Sequence, residues 1–196
     1  MRPPRVIAIF LLAVIVAAGV MFAVKPAWYL RVVYPIKYES IILKHAENYN
    51  LPPALLAAVI RQESNFDPKA RSGAGATGLM QLTPDTAEGI AKFTGGSRFE
   101  QKDLLDPEIN VRYGSFYLRR LHRKYEGRAD GYVLALAAYN AGQGKVDEWV
   151  AEDERDGDGM LDIDEIPFDE TRNYVERVQE LQVTYGEAYP SLRSRG

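Results

Sequence analysis

The segment 53–64 predicts a helix that carries a single carboxylate on its apolar side. Numbered at about 100° per residue, this helix places Glu63 between Val59 and Ile60, near the middle of the apolar stripe. Burial disfavours the charged form of a carboxyl group and raises its pKa, which is what a general acid near neutral pH requires. The alternative is a buried salt bridge with an arginine such as Arg112 or Arg172.

A glycine-rich segment, 72–78, follows this helix and reads SGAGATG. It has too many glycines for a helix and lacks the lysine of a phosphate-binding loop, so it predicts a turn that lets a ligand approach the backbone. It leads into Leu79, Met80 and Gln81. Taken alone, these residues also fit an ordinary loop followed by a plug in the core.

The residues that bind metals in proteins are sparse or scattered. The chain has no cysteine, which excludes disulfides, thiolate zinc sites and a lipidated N-terminal cysteine. The two histidines, His45 and His122, are far apart in sequence, and we interpret both as surface residues of helices. No cofactor is expected.

The acidic segment 154–165 has the spacing of a calcium loop, with a glycine at position 159 and an apolar Leu161. Glutamate stands at the first ligand position, where aspartate is usual, and Ile166-Pro167 interrupts the helix that should follow. A solvated acidic loop is therefore the favoured interpretation. The candidate ligands are Glu154, Asp156, Asp158, Asp162 and Glu165.

The elements that position these residues are predicted to be helices, and the fold class is mostly α. Thr83-Pro84-Asp85 and Asp106-Pro107-Glu108 each combine a capping side chain, a proline and an acid, which is typical of a helix start. No alternating strand pattern of useful length occurs. The predicted helices cover 38–49, 53–64, a segment opening at Thr83, Asp106 to about Tyr125, 130–140, 145–150 and a final helix capped by Asp169.

The N-terminus predicts a signal anchor. No charged residue occurs from Val6 to Val24, and 19 residues at about 1.5 Å each span the hydrocarbon core of a bilayer. Arg2 and Arg5 precede this stretch, so the rest of the chain should lie outside the cytoplasm. The alternative is a cleaved signal peptide and a secreted domain. The predicted organisation is a cytoplasmic tip and anchor at 1–25, a juxtamembrane linker at 26–37 and one catalytic domain at 38–190.

Composition is that of a folded globular protein, with 46% hydrophobic and 26% charged residues among 196. Without the three basic residues of the first 25, the remainder has 21 basic and 27 acidic residues, a net charge of −6. A nucleic-acid partner is therefore not expected.

Three sequence blocks together resemble the soluble lytic transglycosylase family, relatives of goose-type lysozyme. The blocks are RQESNFDPKARSGAGATGLMQLTPDTA at 61–87, AAYNAG at 137–142 and IPFDETRNYVERV at 166–178. They occur in the order typical of the family and, with the intervening helices, cover about 45–185. The resemblance implies a lysozyme-like helical domain that acts on the glycan strands of peptidoglycan.

The resemblance also implies a role for particular residues. Glu63 would be the catalytic acid and base, with Ser72 and Gln81 lining the site beside it. Met80 would form part of an apolar platform for the sugar. The residues implied to shape the pocket around the glutamate and the substrate acetamido group are Tyr139, Asn140 and Tyr174.

The implied reaction cleaves the MurNAc-GlcNAc β-1,4 bond and leaves 1,6-anhydromuramoyl ends. One carboxylate suffices because the substrate acetamido oxygen can attack the anomeric carbon. A hydrolytic muramidase is the alternative enzyme, with Asp67 or Asp85 as the nearest candidate for a second acid. A non-catalytic, membrane-tethered glycan-binding scaffold is the alternative from a different class.

Overall fold

The computed structural model describes residues 4–94, 99–156 and 160–193. Within these ranges the chain is mostly helical, as predicted, and it forms no strand beyond two isolated bridges at Arg71–Thr77 and Thr77–Leu82. Short 3-10 helices cover Gln101–Leu105, Ile163–Glu165 and Pro190–Leu192. The α-helices are α1 (Pro4–Val24), α2 (Ala27–Val33), α3 (Glu39–Tyr49), α4 (Pro53–Ser64), α5 (Pro84–Phe93), α6 (Pro107–Lys124), α7 (Gly131–Ala141), α8 (Gln143–Asp156) and α9 (Asp169–Ala188).

Helix α4 lies in the core and carries Glu63 in its last turn. Pro53 occupies its first position, where a proline loses no hydrogen bond. Every residue from Ala54 to Ile60 is buried, because α4 packs against α9 on one side and α3 on the other. Asn65 ends the helix in a left-handed conformation, φ 53°, and its backbone N–H donates to the Arg61 carbonyl.

Helix α7 packs closely against α6, α8 and α9 because most of its buried residues are small. These small residues include Ala135, Ala137 and Ala138. Small side chains let α6, α8 and α9 all approach α7. Tyr139 and Asn140 follow directly, so the end of α7 delivers two polar side chains next to the end of α4.

The predicted helix starts at Thr83 and Asp106 are confirmed. The Thr83 hydroxyl accepts from the Thr86 N–H, and the Asp106 carboxylate accepts from the N–H groups of Glu108 and Ile109. The predicted start at Asp169 is shifted by one residue. Phe168 is the cap residue, and the carboxylate of Asp169, inside the helix, pairs with Arg172.

The segment 26–37, predicted as a linker, contains helix α2. Within α2, the side chain of Leu30 is buried, and the Arg31 Nε donates to the Ala188 carbonyl at 2.7 Å. The Tyr189 hydroxyl accepts from the Ile36 N–H and donates to the Tyr34 carbonyl, both at 3.1 Å. These contacts fix α2 against the end of α9.

His45 is buried, and its prediction as a surface residue is wrong. Its Nε2 lies 3.0 Å from the Glu108 carboxylate on α6, a long-range contact that the helical pattern around His45 does not reveal. His122 is half-buried and stacks on Tyr132. Helix α8 also extends well beyond the predicted range 145–150.

Helix α1 begins the described chain, and the side chains from Ile7 to Val16 are exposed. Among the residues described here, no helix is long and apolar enough to cross a membrane. The predicted transmembrane helix is thus not confirmed.

Candidate active site

Glu63 is the chemical centre of the site. Its carboxylate is largely buried and accepts a hydrogen bond of 2.6 Å from the Tyr174 hydroxyl on α9. Burial raises the pKa of Glu63 to about 7, although the hydrogen bond from Tyr174 acts in the opposite direction. A carboxyl group with this pKa can both donate and accept a proton near neutral pH.

Within the described part of the chain, no cation forms an ion pair with Glu63, so the alternative of a buried salt bridge is not supported. Arg112 lies over the ring of Tyr113. Arg172 donates to the Ile166 carbonyl and pairs with Asp169. The proton affinity of Glu63 is therefore set by burial and one neutral donor.

Two tyrosines flank the glutamate. The Tyr139 hydroxyl donates to the Met80 carbonyl at 2.7 Å, which ties the end of α7 to the loop after α4. Burial, followed by the nearby charge of Glu63, raises the pKa of both Tyr139 and Tyr174 well above the usual value. Both hydroxyls therefore remain protonated donors.

Asn140 lines the cavity beside Glu63, and its orientation is fixed from α9. The buried Thr171 hydroxyl donates to Asn140 Oδ1 at 2.8 Å. Because Oδ1 is engaged, the amide NH₂ is the group that Asn140 can offer to a ligand. A carbonyl oxygen, such as that of an acetamido group, is the matching acceptor.

The cavity next to Glu63 has a volume of about 740 Å³ and lies between the end of α4 and the exposed face of α9. Three further carboxylates line this cavity, those of Glu170, Glu176 and Glu180, and Glu170 lies one helical turn before Tyr174. Sequence reasoning missed Glu170, although its i, i+4 spacing to Tyr174 is visible. Asp67 and Asp85, the predicted candidates for a second acid, do not line this cavity.

The loop between α4 and α5 is held by Asn110, a second residue that sequence reasoning missed. Asn110 is fully buried; its Oδ1 accepts from the Met80 N–H, and its Nδ2 donates to the carbonyls of Thr77 and Leu104. The sequence does contain a pattern that could have indicated Asn110, because its spacing to Gly114 and Leu121 places this polar residue on the inner face of α6.

Ser72 and Gln81 act within the same loop. The Ser72 hydroxyl accepts from the Ala76 N–H at 3.1 Å, and the Gln81 amide donates to the carbonyls of Ala70 and Gly78. Both side chains therefore shape the loop, and neither lines the cavity at Glu63. Their predicted contact with substrate stays a prediction.

The predicted role of Met80 as a sugar platform is wrong. Its side chain is fully buried and packs against Gly114, where even a Cβ atom would collide with it. Leu79 to Met80 thus form the core plug that was the alternative interpretation. Met80 serves the site through its backbone, which binds Asn110 and Tyr139.

The acidic segment 154–165 is partly used by protein contacts. Glu154 pairs with Arg128 at 3.1 Å, and Asp162 and Glu165 cap the 3-10 helix Ile163–Glu165 reciprocally. Asp158 lies outside the described residues. In the described ranges, no three His, Cys, Asp or Glu side chains converge into a group that could hold a metal ion.

Comparison with known proteins places this geometry in a family. Residues 40–159 match the Transglycosylase SLT domain model. The soluble lytic murein transglycosylase of Escherichia coli (strain K12) is 34% identical over 146 residues, which are 74% of this chain and 22% of that protein.

Solved structures indicate the same family. An inactive mutant of lytic transglycosylase Slt from Pseudomonas aeruginosa is 37% identical, with a TM-score of 0.71 over 86% of this chain and 27% of that one. The 70-kDa soluble lytic transglycosylase in complex with bulgecin A is 31% identical, with a TM-score of 0.74 over 85% of this chain and 27% of that one. The chain thus spans about a quarter of the length of these relatives, and it belongs to the SLT transglycosylase domain family.

Proposed function

We propose that this protein is a peptidoglycan lytic transglycosylase with Glu63 as its only catalytic acid and base. The observation that carries the proposal is the carboxyl group of Glu63, which is largely buried, has no cationic partner in the described chain and has a pKa of about 7. The names of the relatives, lytic murein transglycosylases, support the same reaction.

In the proposed reaction, protonated Glu63 donates its proton to the glycosidic oxygen as the bond from that oxygen to C1 of the muramic acid breaks. The acetamido oxygen of the same sugar stabilises the anomeric carbon. Glu63, now ionised, removes the proton of the C6 hydroxyl, and O6 closes onto C1. The proton returns to Glu63, and no water is consumed.

The hydrogen-bond donors around Glu63 suit this order of proton transfers. Tyr174 would hold Glu63 in position through both proton transfers, because its hydroxyl stays protonated. The Asn140 amide would hold the acetamido carbonyl. Such fixed donors need no reorganisation as the charge develops.

A hydrolytic muramidase is the second candidate, since Glu170, Glu176 and Glu180 place further carboxylates in the cavity. Mass spectrometry of purified glycan strands digested by the protein separates the two. Anhydro ends, lighter by one water per cleavage, are expected. Reducing muramic acid ends would favour the hydrolase, and an uncleaved polymer would favour a non-catalytic glycan-binding scaffold.

We also propose that the N-terminal segment holds the enzyme at the outer face of a membrane. The uncharged run from Val6 to Val24 and the preceding Arg2 and Arg5 support this topology. Protease added to intact spheroplasts should remove the domain, whereas protection of the domain would contradict the proposal. Retention in the membrane after a salt wash distinguishes an anchor from a cleaved signal.

A further inference from the structure

A second cavity adjoins the candidate active site. It has a volume of about 830 Å³ and lies between α2 and α9. Arg177 and Glu180 line both this cavity and the one at Glu63. Their ion pair is exposed, and such pairs are weak, so it is a movable boundary between two parts of one groove.

One face of α9 forms the wall of this groove along its length. Tyr174, Arg177, Leu181 and Thr184 follow at spacings of three and four, which places them on the same side of the helix. From Tyr174 to Glu187 the helix rises by about 20 Å. A linear polymer in the first cavity can therefore continue into the second.

The opposite wall is α2, which is fixed in place. Buried Leu30, the bond from Arg31 to the Ala188 carbonyl and the two bonds of the Tyr189 hydroxyl hold it against α9. Helix α2 lies outside residues 40–159, which match the family. This wall is thus supplied by a segment that precedes the family domain.

The lining of the second cavity suits a sugar. Leu30 and Leu181 give an apolar floor, and the half-buried rings of Tyr29 and Tyr34 line its side. Charged side chains of both signs, including Lys25 and Glu187, surround the opening. Apolar and aromatic surface with a few polar groups is typical of small-molecule sites, and a pyranose presents both an apolar face and hydroxyls.

We propose that the groove between α2 and α9 binds the glycan strand beyond the sugars held at Glu63. The inference rests on the proposed function, because it takes the same polymer as ligand. It predicts that the enzyme prefers long strands to short fragments and that α2 contributes to this preference.

Two variants of the full chain test the groove. Tyr29→Ala removes an aromatic wall, and Thr184→Trp fills the groove from α9, where the Thr184 hydroxyl donates to the Glu180 carbonyl of its own helix. Val32→Trp is the matched control, since Val32 is 74% exposed on α2 and does not line the groove. The readout is the ratio of kcat/KM for long, peptide-free glycan strands to kcat/KM for a tetrasaccharide.

We expect Tyr29→Ala and Thr184→Trp each to lower this ratio about tenfold, whereas Val32→Trp retains it. In a Glu63→Gln background, titration calorimetry with the same strands should show a matching loss of affinity. An unaltered ratio in both groove variants, or an equal loss in Val32→Trp, would overturn the inference. A loss seen only with strands that carry peptide stems would also overturn it, because the ligand would be the stem. Failure of the unmodified protein to cleave either substrate would instead refute the proposed function.

Discussion

At the scale of single residues, the site depends on how the proton affinity of Glu63 is set. Its neighbours supply apolar surface and the Tyr174 hydroxyl, and none of the described residues supplies a positive charge to it. The hydroxyl favours the ionised form, while burial favours the protonated form more strongly. The balance leaves a pKa of about 7, so both protonation states are accessible near neutral pH.

Glu63→Gln should lower turnover by about 10² to 10⁴, the range typical of general acid–base catalysis, because an amide cannot donate an acidic proton. The measurement is the rate of formation of anhydro ends from purified strands. Full activity in this variant would refute the assignment of Glu63.

The same variant should change how stability depends on pH. Because the folded pKa of about 7 exceeds the ordinary value of 4.5, the folded state retains a proton that the unfolded state releases in this window. The contribution of Glu63 to stability is therefore lost as pH rises through about 7, by roughly 3 kcal/mol. Denaturant unfolding should show Glu63→Gln close to the parent at low pH and more stable above pH ~8. A constant difference across pH would contradict this account.

Tyr174→Phe should raise the pKa of Glu63, because the lost hydrogen bond favoured the ionised form. We expect the alkaline limb of the kcat/KM profile to move to higher pH, with about a tenfold loss at the optimum. Tyr185→Phe is the control on the same helix, since the buried Tyr185 hydroxyl has no hydrogen-bond partner in the described structure. Equal shifts in both variants would argue against the contact at Glu63.

At the scale of elements, the site is assembled where the ends of α4 and α7 meet the first turns of α9. Thr171→Val should loosen this junction by freeing the Asn140 amide. We expect KM for glycan strands to rise about fivefold, as for one lost hydrogen bond, with a smaller change in kcat. Thr171→Ser retains the hydroxyl and should restore KM. If Ser and Val behaved alike, the hydroxyl would have no positioning role.

The loop that follows α4 contains two glycines with left-handed backbones but different surroundings. Gly75 has φ +82° and open space around it, while a Cβ at Gly78, φ +84°, would collide with the Asn110 side chain and the Leu104 carbonyl. Gly75→Ala should cost about 1 kcal/mol of unfolding free energy, the cost of backbone strain. Gly78→Ala should cost several times more, because it also displaces Asn110. Thermal and denaturant unfolding of the two variants gives this comparison, and equal losses would contradict it.

Local patterns predicted the elements well where the chain itself sets their limits. The bounds of α4 and the starts of α5 and α6 follow from prolines and capping side chains that act within one helical turn. Helix α2, by contrast, is seven residues long and depends on contacts with α9 far along the chain. Isolated helices of that length are unstable, so no local signal could predict it.

The same division applies to the site. The burial of the Glu63 side chain could be predicted because its position on the apolar side of α4 is a local property. The burial of His45 could not, since it is set by Glu108 on α6, and for Met80 the sequence left a core plug and a substrate platform both open, because its packing partner Gly114 also lies on α6. The resemblance implied contact between substrate and the Met80 side chain, whereas the side chain is fully buried and the backbone carbonyl of Met80 binds Tyr139.

At the scale of the whole molecule, the described residues of the acidic segment 154–165 are tied to Asp130, the residue that precedes α7. Leu161 is buried, and its N–H donates to Asp130, which also binds Arg128. Protein contacts thus already hold the described residues of this segment in place, and three of its candidate calcium ligands, Glu154, Asp162 and Glu165, are engaged in them.

We therefore expect millimolar calcium to produce neither heat in titration calorimetry nor a rise in melting temperature. The physical reason is that binding would have to break the Glu154–Arg128 pair and the cap at Glu165. Magnesium at the same concentration is the control for ionic strength. A saturable, calcium-specific thermal shift would show that the loop is a metal site.

The docking of α2 would also limit where the proposed enzyme can work. Only Lys25 and Pro26 separate the end of α1 from the start of α2, and two extended residues reach about 7 Å. Because α2 is fixed to α9, the domain cannot swing outward on a flexible stalk. An enzyme held through α1 would therefore cut only strands that pass within a domain's breadth of its anchoring surface, so its range of action would be set by its own dimensions.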